Sequence, residues 1–207
     1  MKIITVLSLL ITMKFTLYGQ ANWTIEKEKD GIKISSRPAS SSQFNDIRVE
    51  TDLPGNIEQL KSILLDVNNY KDWSYATKKS SLIKTIGPGK LIYYSEFEVP
   101  WPATNRYFYA DIDLKLDSAA RTLNVIAVNL PNYLPAYKDL VEVVFTKGIW
   151  KVSTISNKSI HVDYSLQLNP GGSLPSWVIN LFSSKGPMET FENIKQKMIA
   201  LNNGTKN

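Results

Sequence analysis

The sequence predicts an α+β domain in which a curved antiparallel sheet is covered by one long C-terminal helix. Residues 81–168 are strand-like almost throughout, broken only at turn signals such as Gly87-Pro88-Gly89, Pro100-Trp101-Pro102, Asp117-Ser118 and Ser156-Asn157. The strands between those breaks alternate, so each has one apolar face that needs a cover. A single long helical pattern follows, over residues 174–201, and is the available cover.

Taken in order, residues 23–29 form a short amphipathic piece that ends at Asp30-Gly31, and residues 32–37 and 44–53 read as two strands around a Ser-rich connection. Pro54-Gly55-Asn56 opens a helix over residues 57–67, with Leu60, Ile63, Leu64 and Val67 on one stripe. Residues 68–73 form a second helical turn. In "LIYYSEFEV" the residues Leu91, Tyr93, Phe97 and Val99 share a face opposite Glu96 and Glu98. In "RYFYADIDLKL" Phe108, Ala110, Ile112, Leu114 and Leu116 oppose Asp111, Asp113 and Lys115. In "IHVDYSLQL" Ile160, Val162, Tyr164, Leu166 and Leu168 share a face. The segment 130–136 interrupts the strands once more. The final helix carries Trp177, Leu181, Met188, Phe191, Ile194 and Met198 at roughly helical spacing, and Gly186-Pro187 should kink or divide it.

The N-terminus reads as a secretory signal. Met1-Lys2 precedes an apolar run over residues 3–12 that is too short to span a bilayer, and Gly19-Gln20-Ala21 supplies small residues for cleavage after Ala21. Residues 1–21 are therefore expected to be removed, leaving one domain over residues 22–207, secreted and in a periplasmic setting. Loss of Lys2 and Lys14 takes the formal charge from +5 to +3. The remaining lysines are scattered apart from Lys78-Lys79, which is no nucleic-acid footprint. The chain has no Cys, so disulfides, thiolate nucleophiles and Cys-ligated zinc are absent and stability rests on packing.

Catalytic and metal-binding patterns are sparse. The one histidine, His161, falls on the polar face of its strand beside Asp163, with no matching nucleophile. Asp111, Asp113 and Asp117 form an outward stripe rather than a calcium loop. Gly171-Gly172 lies between a strand and a helix without the fingerprint of a phosphate loop. No metal and no cofactor is expected.

The stretches "DGIKISSRP", "PWPATNRYFY", "GIW" and "NPGGSLPSWVINLF" occur in the order and approximate spacing of the START (steroidogenic acute regulatory protein-related lipid transfer) domain, which the chain resembles over nearly its whole length beyond the signal. The resemblance implies a helix-grip fold: the sheet curls around the C-terminal helix and leaves an elongated apolar tunnel for one lipid-like ligand.

On that reading the strand and helix faces nominate Tyr93, Phe97, Phe108, Ile112, Tyr164, Trp177, Leu181 and Met188 as ligand-lining residues, with the hydroxyls of Tyr93 and Tyr164 able to orient a polar end. The resemblance places Trp101 in a loop over the tunnel mouth, as a lid or membrane contact. Tyr133 and Leu134, held between Pro131 and Pro135, offer a second mobile rim. Arg106 matches the arginine that closes the family motif and is expected to be structural, paired with Glu96, Glu98 or backbone carbonyls at the loop base. Some sterol-binding relatives carry a further arginine inside the tunnel; here that position corresponds to Ile112.

The expected function is non-catalytic binding of a lipid or other hydrophobic small molecule, for sequestration or for transfer, by a monomer that touches membranes transiently. Two alternatives stand beside it: a cyclase- or aromatase-like enzyme acting in the same cavity, and a protein-interaction module whose cavity is filled by side chains.

Overall fold

The computed structural model describes residues 22–39, 42 and 44–204. The signal expected over residues 1–21 lies outside the described residues. Ten strands form one sheet: β1 (Thr24–Lys29), β2 (Ile32–Arg37), β3 (Asp46–Pro54), β4 (Thr77–Gly87), β5 (Lys90–Phe97), β6 (Arg106–Asp117), β7 (Thr122–Asn129), β8 (Val141–Glu142), β9 (Phe145–Ser156) and β10 (Ser159–Asn169). Their spatial order is β1-β2-β3-β10-β9-β7-β6-β5-β4, antiparallel at every step, with the two-residue β8 added in parallel beside β6. The amphipathic piece before Asp30-Gly31 is thus a strand. It pairs with β2 as an exposed edge whose Lys and Glu side chains blunt it against further pairing.

Helix α1 (Ile57–Leu65) starts with a reciprocal cap. The Gln59 N–H donates to Asn56 Oδ1 at 3.0 Å, and the Asn56 N–H donates to Gln59 Oε1 at 2.9 Å. The turn before it needs Gly55: its φ is +112°, and a Cβ there would lie 2.9 Å from the Met198 methyl. A 3₁₀ turn (Val67–Asp72) follows and leads into β4. The C-terminal segment comprises α2 (Ser176–Asn180), a π-helical turn (Leu181–Lys185) and α3 (Gly186–Gly204).

The π turn has a local cause. Pro187 has no N–H to offer the carbonyl four residues back, and its ring crowds that carbonyl. The ladder widens instead, and the Gly186 N–H reaches the Leu181 carbonyl, five residues away. Ser183 and Ser184 donate to the carbonyls of Ile179 and Asn180 at 2.8 and 2.9 Å, which reinforces the distorted turn.

Helix α3 lays Met188, Phe191, Ile194 and Met198 into the concave face of the sheet. There they join Ile32, Ile34, Val49, Ile160 and Val162 from the strands and Leu60 and Leu64 from α1 in one core. Gln59 Nε2 donates to Asn202 Oδ1 at 2.9 Å and ties α1 to the end of α3. The helix-grip arrangement expected from the sequence is present. Among the described residues no helix is long and apolar enough to cross a membrane.

The convex face is not uniformly solvated. Tyr94, Tyr107 and Tyr109 point outward yet are buried, covered by Leu130, Leu140 and the segment between them. Elsewhere on that face polar side chains pair across strands: Arg48 forms a two-pronged bond to Asp163 at 2.9 and 2.8 Å, and His161 Nδ1 lies 2.7 Å from Asp52 Oδ1.

Candidate functional site

Between the concave face and the C-terminal segment lies a hollow of about 220 Å³. Strand parity explains why space is left there. The inward positions along the middle of the sheet are small: Ser95 on β5, Ala110 on β6, Ala127 on β7 and Gly148 on β9. Gly148 pairs with Ala127 on one side and Leu166 on the other, so the sheet offers a shallow patch where a Leu or Phe would have met the helix.

Around that patch stand aromatic rings. Tyr93 and Phe108 meet edge-on at 5.8 Å, Phe97 lies 5.8 Å from Phe182 of the π turn, and Trp150 packs on Tyr164 at 4.5 Å and on Phe191 at 5.3 Å. Tyr70 and Trp73, in contact at 4.6 Å, close one end. Tyr75 completes the wall beside α3: its N–H donates to Thr190 Oγ1 at 3.0 Å, and its ring packs against Gly186, where a Cβ would come within 3.0 Å.

Among the described residues no charged side chain lines the hollow. Its polar side-chain groups are hydroxyls and the indole N–H groups of Trp73 and Trp150; among the hydroxyls are those of the buried Tyr70 and Tyr93 and the partly buried Tyr164. Tyr70 donates to the Leu64 carbonyl at 2.6 Å. Tyr93 and Tyr164 have no hydrogen-bond partner among the described residues. Burial raises the pKa of all three, and the neighbouring phenol of Tyr164 adds to the rise at Tyr70 and Tyr93. They therefore remain protonated donors across the physiological range.

Of the residues nominated from the sequence, Tyr93, Phe97, Phe108, Ile112 and Tyr164 border the hollow, whereas Trp177, Leu181 and Met188 do not. Met188 is buried in the core, and Trp177 is 50% exposed. For Trp177 and Leu181 the π turn is the reason. On an unbroken helix Trp177 and Phe191, fourteen residues apart, would share a face; one extra residue in the turn rotates everything upstream by roughly 100°. Phe182 takes the inward place instead. Trp73, Tyr75, Trp150 and Phe191 also line the hollow, and for Trp150 the alternation Gly148, Trp150, Val152 was the available signal.

The two loops have different fates. Trp101 is 88% exposed at the tip of the loop between β5 and β6, joined to Pro102 by a cis peptide bond. Tyr133, by contrast, lies on the convex face with its ring 5.5 Å from Tyr109, and Tyr137 lies 4.9 Å from Tyr107. The buried outward tyrosines demand a cover, and this segment supplies it rather than a rim around the hollow. Leu134 is exposed beside it.

Arg106 is buried at the root of the Trp101 loop and bonds to carbonyls rather than to a carboxylate. Nη1 donates to Thr104 O and Nη2 to Gly171 O, the latter at 3.4 Å, while Nε has no partner among the described residues. Glu96 is engaged by Lys78 at 3.0 Å. Desolvation accordingly lowers the Arg106 pKa from its ordinary value. Among the described residues no three His, Asp or Glu side chains gather as a metal site would require.

Comparison with known proteins agrees with this architecture. The START domain family profile matches residues 11–203. An uncharacterized protein of Pseudomonas aeruginosa is 25% identical over 192 residues, covering 91% of this chain and 94% of its own. The phosphatidylcholine transfer protein of Rattus norvegicus is 26% identical over 171 residues, covering 80% and 78% respectively. Among solved structures, a STAR-related lipid transfer protein from Xanthomonas axonopodis superposes with a TM-score of 0.77 at 25% identity, covering 86% of this chain and 98% of that one. The human StAR-related lipid transfer protein 5 follows at 0.73 and 16% identity, covering 87% and 88%. With ten strands gripping one terminal helix and the family match spanning nearly its whole length, the chain belongs to the START domain family.

Proposed function

We propose that this protein binds one lipid or other hydrophobic small molecule in the hollow between sheet and helix, holds it without covalent chemistry, and passes it between membranes. The observation that carries the proposal is the lining: aromatic and aliphatic walls around about 220 Å³ with, among the described residues, no charged group and two tyrosine hydroxyls lacking partners. Such a surface gains by covering apolar ligand area and by satisfying one or two polar atoms. Burial of several hundred Å² contributes on the order of 10 kcal/mol gross, reduced by the costs of association. The lipid-transfer names of its relatives point the same way.

Trp101 and Trp177 serve as membrane contacts in this proposal. Both are exposed, and they lie in the segments that lead into Arg106 and out of Gly171, which the Arg106 Nη2 bond joins. An indole at such a tip suits the membrane interface, where its ring is dehydrated and its N–H stays wet. The N-terminal apolar run supports export, and the proposed setting is periplasmic, with the protein acting as a monomer.

The test is solvent extraction of freshly purified protein followed by mass spectrometry. A hydrophobic molecule in near-equimolar amount is expected; protein that is repeatedly empty and takes up no lipid probe contradicts the proposal.

A further inference from the structure

Resting on the binding role proposed above, we infer that the ligand is a compact, uncharged molecule with a hydroxyl or carbonyl at its inner end, and that a two-chain phospholipid is not the cargo. Three features lead there.

The first is volume. At about 220 Å³ the hollow exceeds the ~150 Å³ apolar cavity that admits benzene and falls below the ~300 Å³ at which pockets for drug-sized ligands begin. It takes one ring system or one chain of about ten carbons, not two acyl chains. The walls that set this limit are rings packed on one another from sheet and helix, as with Phe97 on Phe182 and Trp150 on Phe191, so enlargement requires several of them to move together.

The second feature is charge. A phosphate or carboxylate drawn into the hollow would find no lysine, arginine or histidine on its walls among the described residues, and an unpaired buried charge is strongly disfavoured. Arg106, the buried cation at the root of the Trp101 loop, is not among the lining residues, and its two Nη groups donate to the carbonyls of Thr104 and Gly171.

The third feature is the placement of polar groups. Tyr93 and Tyr164 come from strands on opposite sides of the sheet's curve, and each influences the titration of Tyr70. Tyr70 donates its hydrogen bond to the Leu64 carbonyl, so among these three phenols Tyr93 and Tyr164 are the ones without a partner among the described residues and open to a ligand oxygen. The Tyr164 hydroxyl also sits over Gly148, 3.3 Å from where a Cβ would be, within the small-residue patch that creates the space. A ligand oxygen can accept from either phenol, which favours an alcohol or ketone over a ligand without oxygen.

The relatives named for phosphatidylcholine transfer make this a discriminating statement, since a shared fold does not carry a shared ligand. Calorimetric titration at pH 7.5 of the intact protein with 1-decanol, with decanoate and with dioleoylphosphatidylcholine vesicles provides the test. Decanol is expected to bind, decanoate roughly 100-fold more weakly, and the vesicles to lose no phospholipid to the protein. Tyr93→Phe and Tyr164→Phe, which keep the rings, should each weaken decanol roughly 2- to 10-fold. Extraction of phosphatidylcholine, decanoate binding equal to decanol, or indifference to both Phe variants overturns the ligand class and leaves the lipid-binding role standing. Failure of all three probes in protein that also carries no extractable molecule removes the binding role itself.

Discussion

The Arg106 guanidinium ties the root of the Trp101 loop to the turn that launches the C-terminal helix, with Nη2 3.4 Å from the Gly171 carbonyl and Nη1 on the Thr104 carbonyl. A buried cation held by two carbonyls from distant segments is a coupling device: neither segment can move far without orphaning a donor. In Arg106→Met the relief of burying an unpaired charge offsets much of the lost bonding. The expected result is a small change in unfolding temperature with faster amide exchange in both the 98–105 and 170–176 segments. Unchanged exchange in either segment contradicts the coupling.

Trp101 contributes little to the fold, being 88% exposed. Trp101→Ala should change stability by less than about 0.5 kcal/mol while lowering vesicle association and the rate of ligand exchange with vesicles. Co-sedimentation and a transfer assay check this; equal rates in both proteins remove Trp101 from the membrane contact.

Phe191 is buried against Trp150 and Tyr164 at 5.3 and 5.6 Å and forms part of the roof of the hollow. Phe191→Ala should cost about 3–5 kcal/mol by denaturant unfolding. It also enlarges the hollow, so a bulkier neutral ligand should gain affinity relative to decanol in the surviving folded protein.

Acid stability has a named contributor. The hydrogen bonds from Arg48 hold the Asp163 carboxyl below its usual range. A depressed carboxylate pKa stabilises the fold above the unfolded value, near pH 4, and that contribution disappears as pH falls through the folded value. Asp163→Asn should therefore lose about 0.5–1 kcal/mol at pH 7 and differ less from the parent below pH 3. Equal losses at both pH values contradict the assignment.

Much of the fold was legible because strand parity and a lone terminal helix leave few ways to bury the apolar faces. Phe108, Ala110 and Ile112 alternate with charged or polar neighbours, and the structure turns them inward as the alternation requires. Three things were less accessible. The π turn shifts the helix by a single residue, and no periodicity over residues 174–201 reveals which side of Pro187 absorbs it; Trp177 and Leu181 were misplaced for that reason. The tyrosines at 94, 107 and 109 look solvated by alternation, yet aromatic residues on both faces of β5 and β6 were a sign that something covers the outer one. The hollow itself depends on what is missing. Attention to large side chains overlooked Ala127 and Gly148, whose small size at inward positions makes the space.

The central claim is that this space is where the ligand sits, and filling it tests that most directly. Gly148→Val points new methyl groups at the Tyr164 hydroxyl, where even a Cβ would stand at 3.3 Å, and Ala127→Leu fills the adjacent strand position. Native mass spectrometry of the parent and the double variant, both shown to be folded by circular dichroism, should find a bound hydrophobic mass in the parent and none in the variant. The same adduct at the same occupancy in both proteins would contradict the account.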